Sequence, residues 1–209
     1  IIPAYTCPSV PDTIQNMGLQ IVACDLSEGS FTLNPTHLKT LVSDNILAVV
    51  TQYLFGIYEN IDSIILETSK NKIPLIEDCS QILLPKDEKN NVGSKGDFSF
   101  FSFGLGKVIT ANHGGLVMIN NKLYLNAILG LFNNLPQTGF FTTCKDFLSL
   151  LLYPLITSRI VYYFVIRSKW SPEKRVDNSP ISAGLQMTKL AKLNKNIILN
   201  QLNHLNIIL

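Results

Sequence analysis

The sequence predicts an α/β fold in three layers, a mostly parallel mixed sheet with helices on both faces. Three observations predict it. Apolar stretches of strand length alternate with segments of helical period from Ile1 to about Val117. Some of the strands, Ile46 to Thr51 above all, are nearly all apolar, as strands buried on both faces are. Thr6, Gln52, Asp78 and the segment Ser102 to Lys107 all fall at or near strand carboxyl ends, where such sheets hold ligands.

Each element follows from its local pattern. Ile1 to Thr6 reads as the end of a strand. From Pro8 to Met17, the residues Val10, Ile14 and Met17 share a helical face, and Gly18 is a natural stop. Gln20 to Cys24 is a strand closed by Asp25. Asn34-Pro35 is a strong helix start, a capping side chain followed by proline in the first turn, and Leu38, Leu41 and Val42 form the apolar face. After the strand Ile46 to Thr51, the segment Gln52 to Gly56 is a loop. A helix over Asn60 to Lys70 sets Ile61, Ile64, Ile65 and Thr68 on one side, and the strand Pro74 to Ile76 ends in Glu77-Asp78. Pro85 to Lys95 is a polar loop. Asp97 to Phe103 is a mostly aromatic buried strand, and Gly104-Leu105-Gly106 follows it. Leu116 to Ile119 is the next apolar run, and Leu123 to Phe132 reads as a helix.

The remainder differs in character. Phe147 to Ile166 is an apolar run with Arg167, Lys169, Lys174 and Arg175 beyond it, interrupted by Pro154 and Arg159. Arg159 near a bilayer centre would be costly, so a buried or subunit-facing helix is expected ahead of a membrane span, with surface contact to a membrane as a further reading. Pro172 to Pro180 is a polar linker. Leu185 to Leu209 is an amphipathic helix with Met187, Leu190, Ile197, Ile198, Leu202 and Leu205 inward and its lysines and asparagines outward.

Bulk properties narrow the function. A chain of 209 residues with 46% hydrophobic and 15% charged residues builds a sizeable core, in one domain or one and part of another. A net charge of +2 gives no reason to expect a nucleic-acid partner. Cys7, Cys24, Cys79 and Cys144 form no C-x-x-C pair, and no secretory leader is visible, so reduced thiols and a cytoplasmic location are expected. His37, His113 and His204 are far apart, and no metal is expected. The start at Ile1-Ile2-Pro3 looks like a strand entered from upstream, as in a fragment.

The chemistry-bearing residues cluster around one lysine. Lys107 sits just past a strand end on a glycine turn among apolar residues, a place that suits an amine nucleophile because desolvation lowers its pKa; it could also simply decorate a loop. Gly104-Leu105-Gly106-Lys107 is not a phosphate loop, since Val108 stands where serine or threonine is required, nor a dinucleotide fingerprint, since Ile109 stands at the third glycine. Asp78 could be a helix cap, or a carboxylate that keeps a proton on a heterocyclic nitrogen. An aspartate and a lysine at strand ends are the pair pyridoxal 5'-phosphate (PLP) needs, one for the ring nitrogen and one for the aldehyde. Gln81 could bond the phenolic oxygen and Ser102 the phosphate, or Ser102 could be only a small strand residue.

Five ordered segments carry a family resemblance: Pro3-Ala4-Tyr5-Thr6, Ile76 to Gln81, Gly93 to Asp97, Phe101 to Lys107, and Gly114 to Val117. Asp78 to Gln81 spans three positions, Ser102 to Lys107 five, and Asp78 to Lys107 29 (107 − 78). Together they resemble the DegT/DnrJ/StrS family of sugar aminotransferases, with the fold type I architecture of aspartate aminotransferase. The resemblance covers residues 1 to 121 well and 181 to 209 more faintly. It implies a PLP-transferase large domain truncated at both ends, with residues 1–145 as its core, 146–180 as apolar helix and linker, and 181–209 as the start of a small C-terminal domain.

The resemblance also implies roles. Lys107 would hold PLP covalently and shuttle a proton between the cofactor and the substrate carbon. Asp78 would pair with the pyridinium nitrogen, Gln81 with the ring oxygen and Ser102 with the phosphate. Cys7 stands where the family usually stacks an aromatic residue on the ring, and Gln52 replaces a histidine often seen after its strand. The implied reaction moves an amino group, with glutamate as donor, onto a nucleotide-linked keto-sugar, in amino-sugar or surface-polysaccharide biosynthesis, with a homodimer as the working form. A dehydrating branch of the family has histidine in place of the lysine, so Lys107 favours transamination. The second reading is a non-catalytic remnant that uses 147–166 for membrane-surface or subunit contact.

Overall fold

A computed structural model describes residues 1–82, 92–161, 163 and 187–208. Two compact units emerge: residues 1–102 with 115–134, and residues 103–114 with the described part of 135–209.

The first unit contains a two-stranded sheet of β1 (Ile2–Pro3) and β2 (Ala23–Cys24) and a four-stranded sheet of β3 (Val49–Gln52), β4 (Leu75–Asp78), β5 (Phe98–Ser102) and β6 (Gly115–Ile119), in that order. β3, β4 and β5 run parallel and β6 closes the edge antiparallel. β1 pairs with β2 in parallel. Ile1 brings that pair beside β3, because its amine donates to the Ala48 carbonyl and its carbonyl accepts from Val50 N–H. The result is the mixed, mostly parallel sheet expected from the alternation of elements. Helices α1 (Ser9–Asn16), α2 (Pro35–Leu41), α3 (Asp62–Lys70) and α4 (Leu125–Asn133) connect and extend it.

Local chemistry sets the helix ends. The Asn34 side chain accepts from Thr36 and His37 N–H at 2.9 and 3.1 Å, and Pro35 occupies the first turn, so α2 begins where its sequence says. Leu38 then buries fully, as do Ile61, Ile64 and Thr68 at the start and along α3. The Thr68 hydroxyl satisfies itself on the Ile64 carbonyl at 3.0 Å. Val49, Val50, Leu75 and Phe101 supply the buried sheet face residues, with Tyr53 and Cys79 at the strand ends.

Several expectations are corrected. Met17 is 69% exposed and α1 buries no residue, so its apolar face is not a core face. The second strand is only two residues long, Ala23–Cys24, although the Val22 carbonyl just before it also accepts from Ile2 N–H at 2.9 Å. The apolar run is helical from further upstream: α5 (Phe140–Ile156) starts before it and ends after Pro154, followed by the single turn α6 (Arg159–Val161). Within α5 the buried residue is Asp146, while Phe147, Leu148, Leu151 and Leu155 are exposed, so it is not a buried core helix. No helix among the described residues is long and apolar enough to cross a membrane. In α7 (Lys192–Ile208), Ile198 is buried as expected, but Met187 before it is exposed and Asn194 is buried rather than outward. Most of the polar loop 85–95, the end of the 147–166 run with its basic flank, and the linker 172–180 lie outside the described residues.

Candidate active site

The geometry at the carboxyl ends of β3, β4 and β5 follows from strand alternation. Gln52, Asp78 and Phe100 are register partners across the three strands, so they share one face; Ser102, two positions beyond Phe100, shares it too. Thr51, Glu77 and Ser99 share the opposite face. The adjacent acids Glu77 and Asp78 therefore serve different surroundings.

Glu77 is structural. It is fully buried, and its Oε2 accepts from the Tyr53 hydroxyl at 2.7 Å and Gly93 N–H at 3.0 Å. Its Oε1 accepts from Lys95 N–H at 2.7 Å and Gly96 N–H at 2.6 Å. A single carboxylate thus ties the turn Gly93 to Gly96 beneath β4. A Cβ on Gly96 would meet the Leu75 carbonyl at 2.8 Å, and Gly93 has φ +80°, so both positions require glycine. Asp97 continues the clamp, its Oδ2 accepting from Leu75 N–H at 2.8 Å and its Oδ1 from the Asn121 amide at 2.6 Å.

Asp78 is 8% exposed at the end of β4. Its Oδ1 accepts from Ser80 N–H at 2.9 Å, and no donor among the described residues reaches Oδ2. Gln81 follows on the turn, where its Oε1 accepts from Phe55 N–H at 2.9 Å, leaving its Nε2 as a donor. Gln52 is 1% exposed; its Nε2 donates to the Tyr5 carbonyl at 2.7 Å and the Phe31 carbonyl at 3.4 Å. Two carbonyl acceptors fix that amide's orientation, and its Oε1 is buried with no partner among the described residues. Ser102 is half-buried opposite Gly115. Cys7 is exposed, with its thiol accepting from the Ser9 hydroxyl at 3.2 Å. Lys107 belongs to the second unit, five residues past Ser102, on a turn where its N–H donates to the Gly104 carbonyl at 3.2 Å.

Sequence reasoning missed an aromatic group here. Tyr5 and Phe55 are each more than half exposed, and Phe31 lies between them, 6.4 Å from Tyr5 and edge-on to Phe55 at 5.1 Å. The Phe55 backbone is left-handed (φ 57°) and is held by Gln81. Only the fold brings residues 5, 31 and 55 together, so no spacing near Thr6 and Cys7 reveals them.

The residues fit PLP. Asp78 presents a carboxylate oxygen, without a donor among the described residues, of the kind that pairs with a pyridinium nitrogen, and Gln81 an amide Nε2 without an acceptor among them.

Two buried acids-to-be give this region an alkaline limit. Burial, then the Glu77 carboxylate, pushes the Tyr53 phenol up; burial, then Glu77 and Asp78, pushes the Cys79 thiol up. Both groups stay protonated in the folded chain while the unfolded chain loses their protons from about pH 8.5 (thiol) and about pH 10 (phenol). Above each of these values the unfolded state binds fewer protons, so stability falls as pH rises, by about 1.4 kcal/mol per pH unit for each group. Urea unfolding followed from pH 7 to 10 should show full stability below about pH 8 and a decline above it. Cys79→Ala should flatten the part of that decline between about pH 8.5 and 10.

The fold defines the class first: an α/β chain built on a mostly parallel mixed sheet. Residues 1–137 match the DegT/DnrJ/EryC1/StrS aminotransferase family, and the chain belongs to that family. It is 28% identical over 118 residues to an L-glutamine:2-deoxy-scyllo-inosose aminotransferase of Micromonospora echinospora, covering 56% of this chain and 28% of that one. It is 28% identical over 133 residues to a GDP-perosamine synthase of Vibrio cholerae, covering 64% and 36%. Among solved structures, DesI crystallised with its TDP-sugar product superimposes with a TM-score of 0.57 at 25% identity, over 64% of this chain and 34% of that one. The chain thus spans about a third of the length of these relatives.

Proposed function

We propose that the protein acts in PLP-dependent amino transfer to a keto group of a nucleotide-linked sugar, with glutamate as the donor, as a cytoplasmic homodimer serving amino-sugar or surface-polysaccharide synthesis. The observation that carries this reading is Asp78 at the end of β4, buried, tied at Oδ1 and open at Oδ2, in a chain that belongs to an aminotransferase family. When bound, PLP supplies an electron sink that stabilises negative charge on the substrate carbon. Asp78 would hold the ring nitrogen protonated through Oδ2. Gln81 would donate from Nε2 to the phenolic oxygen, and Ser102 would donate its hydroxyl to the phosphate. Lys107 would anchor the cofactor through Nζ and, once free of it, carry a proton at that same atom. Tyr5, Phe31 and Phe55 offer a stacking surface that Cys7 does not. The relatives named for GDP-perosamine and for a TDP-sugar product support a nucleotide-linked acceptor, and the one named for L-glutamine makes glutamine the donor to test against glutamate.

The test is direct. Full-length protein is incubated with PLP, glutamate or glutamine, and a nucleotide-linked keto-sugar, and the amino-sugar is read by mass spectrometry. Product that requires one of the two amino donors, and that falls on the order of 10³-fold or more in Lys107→Ala, supports the reading. Protein that binds PLP yet gives no amino-sugar with either donor contradicts it. The exposed leucines and phenylalanines of α5 favour a second role for this segment as a subunit-contact surface.

A further inference from the structure

The loop from Phe103 to Gly114, which carries Lys107, is closed at Phe103, whose N–H donates to the Gly114 carbonyl and whose carbonyl accepts from Ala111 N–H, both at 2.9 Å, and side chains hold its second half further. Gln201 on α7 bonds Thr110 twice, accepting from its N–H at 3.0 Å and donating to its carbonyl at 2.7 Å. The Thr110 hydroxyl donates back to the Gly104 carbonyl at 3.0 Å, which ties the arm with Thr110 to the arm before Lys107. Asn194 on α7 donates to the Ala111 carbonyl at 3.0 Å.

Asp146 on α5 is the hub. It is 4% exposed, and its Oδ1 accepts from the Asn112 amide at 2.9 Å while its Oδ2 accepts from Asn194 at 3.4 Å. His113 Nε2 lies 3.3 Å from the same Oδ1. A carboxylate is costly to bury, and it persists here because side chains of two successive loop residues and one helix residue converge on it. Asn112 has φ 69°, a left-handed conformation that asparagine tolerates better than most residues, and its amide is the group Asp146 fixes. Packing α5 would not by itself require a charge at this point; defining the path of a loop does.

We infer that Asp146 is a positioning residue for Lys107: through Asn112 and Asn194 it fixes the loop backbone that presents the lysine amine to the cofactor. This rests on Lys107 being the cofactor-bearing residue. A group that must meet an aldehyde in one geometry loses reactivity when its backbone is free to wander, even when the cofactor still binds elsewhere. Asp146 thus governs attachment more than retention.

The experiment separates the two. Full-length protein is loaded with PLP, freed of excess and reduced with borohydride. Total retained cofactor and the fraction fixed to Lys107 are then measured, with circular dichroism as the check on folding. In the unsubstituted protein the retained cofactor is fixed almost wholly to Lys107. Asp146→Ala and Asn194→Ala should each lower the fixed fraction at least fivefold, while Asp146→Asn, which keeps an acceptor for Asn112, should restore most of it. An unchanged fixed fraction in folded Asp146→Ala overturns the inference. Should Asp146→Ala fail to fold, Asn194→Ala, which leaves the bond from Asn112 in place, decides by the same criterion. Unsubstituted protein that retains PLP with none fixed at Lys107 overturns the cofactor reading itself, whatever the variants do.

Discussion

Exchanging Asp78 for asparagine is expected to leave the fold intact and to cut amino transfer on the order of 10³-fold, about 4 kcal/mol of transition-state stabilisation. The two halves of this prediction come from the two oxygens. Oδ1 accepts from Ser80 N–H, and an asparagine side-chain oxygen accepts there equally well, so the turn after β4 survives. Oδ2 is the atom open to a ring nitrogen, and there the variant offers a neutral amide. A neutral group does not hold the pyridinium proton, and the ring loses most of its capacity to withdraw electrons. Asp78→Ala would mix this loss with damage to the turn, so asparagine is the informative choice. Urea unfolding and initial rates on the same preparation give both readouts. A variant with rates within threefold of the parent would remove Asp78 from the chemistry.

Glu77→Gln should do the reverse, with a large cost in stability. The carboxylate receives four hydrogen bonds, three from backbone N–H groups and one from Tyr53. Glutamine presents one oxygen and one NH₂; with the NH₂ turned toward Tyr53 and Gly93 the phenolic oxygen can accept from it, so Gly93 N–H is the donor that loses its acceptor. At about 1 to 3 kcal/mol for an unsatisfied buried donor, the variant should lose roughly 1 to 3 kcal/mol. That is a large share of a typical domain's total of about 5 to 15 kcal/mol. Chemical denaturation measures it, and a loss under about 1 kcal/mol would show that the turn Gly93 to Gly96 is held by other means.

The sequence made some of this readable and hid the rest for physical reasons. Local signals were dependable. The Asn34-Pro35 start of α2, the apolar face of α3 and the strand that ends in Glu77-Asp78 all depend on neighbours within a few residues, and the structure shows each. Strand alternation alone turns Glu77 and Asp78 to opposite faces, but nothing local says what each face meets. The partners that give Glu77 its role lie 16 to 24 positions away. The hub at Asp146 spans 34 positions to Asn112 and 48 to Asn194, and both asparagines carry no periodic signal. Amphipathic spacing turns Asn194 outward; the structure buries it with its amide nitrogen on a carboxylate and a loop carbonyl. Met17 and the leucines of α5 are exposed, and nothing in local spacing says what an apolar face meets.

The measurement that bears most directly on the central claim is the site of covalent attachment. Full-length protein should be mixed with PLP, reduced with borohydride, digested and mapped by mass spectrometry. The account predicts the pyridoxyl-phosphate label on the peptide containing Lys107, no label there in Lys107→Ala, and weakened labelling in Asp78→Asn. Label spread over surface lysines, or equal labelling of the Lys107→Ala protein, would contradict it.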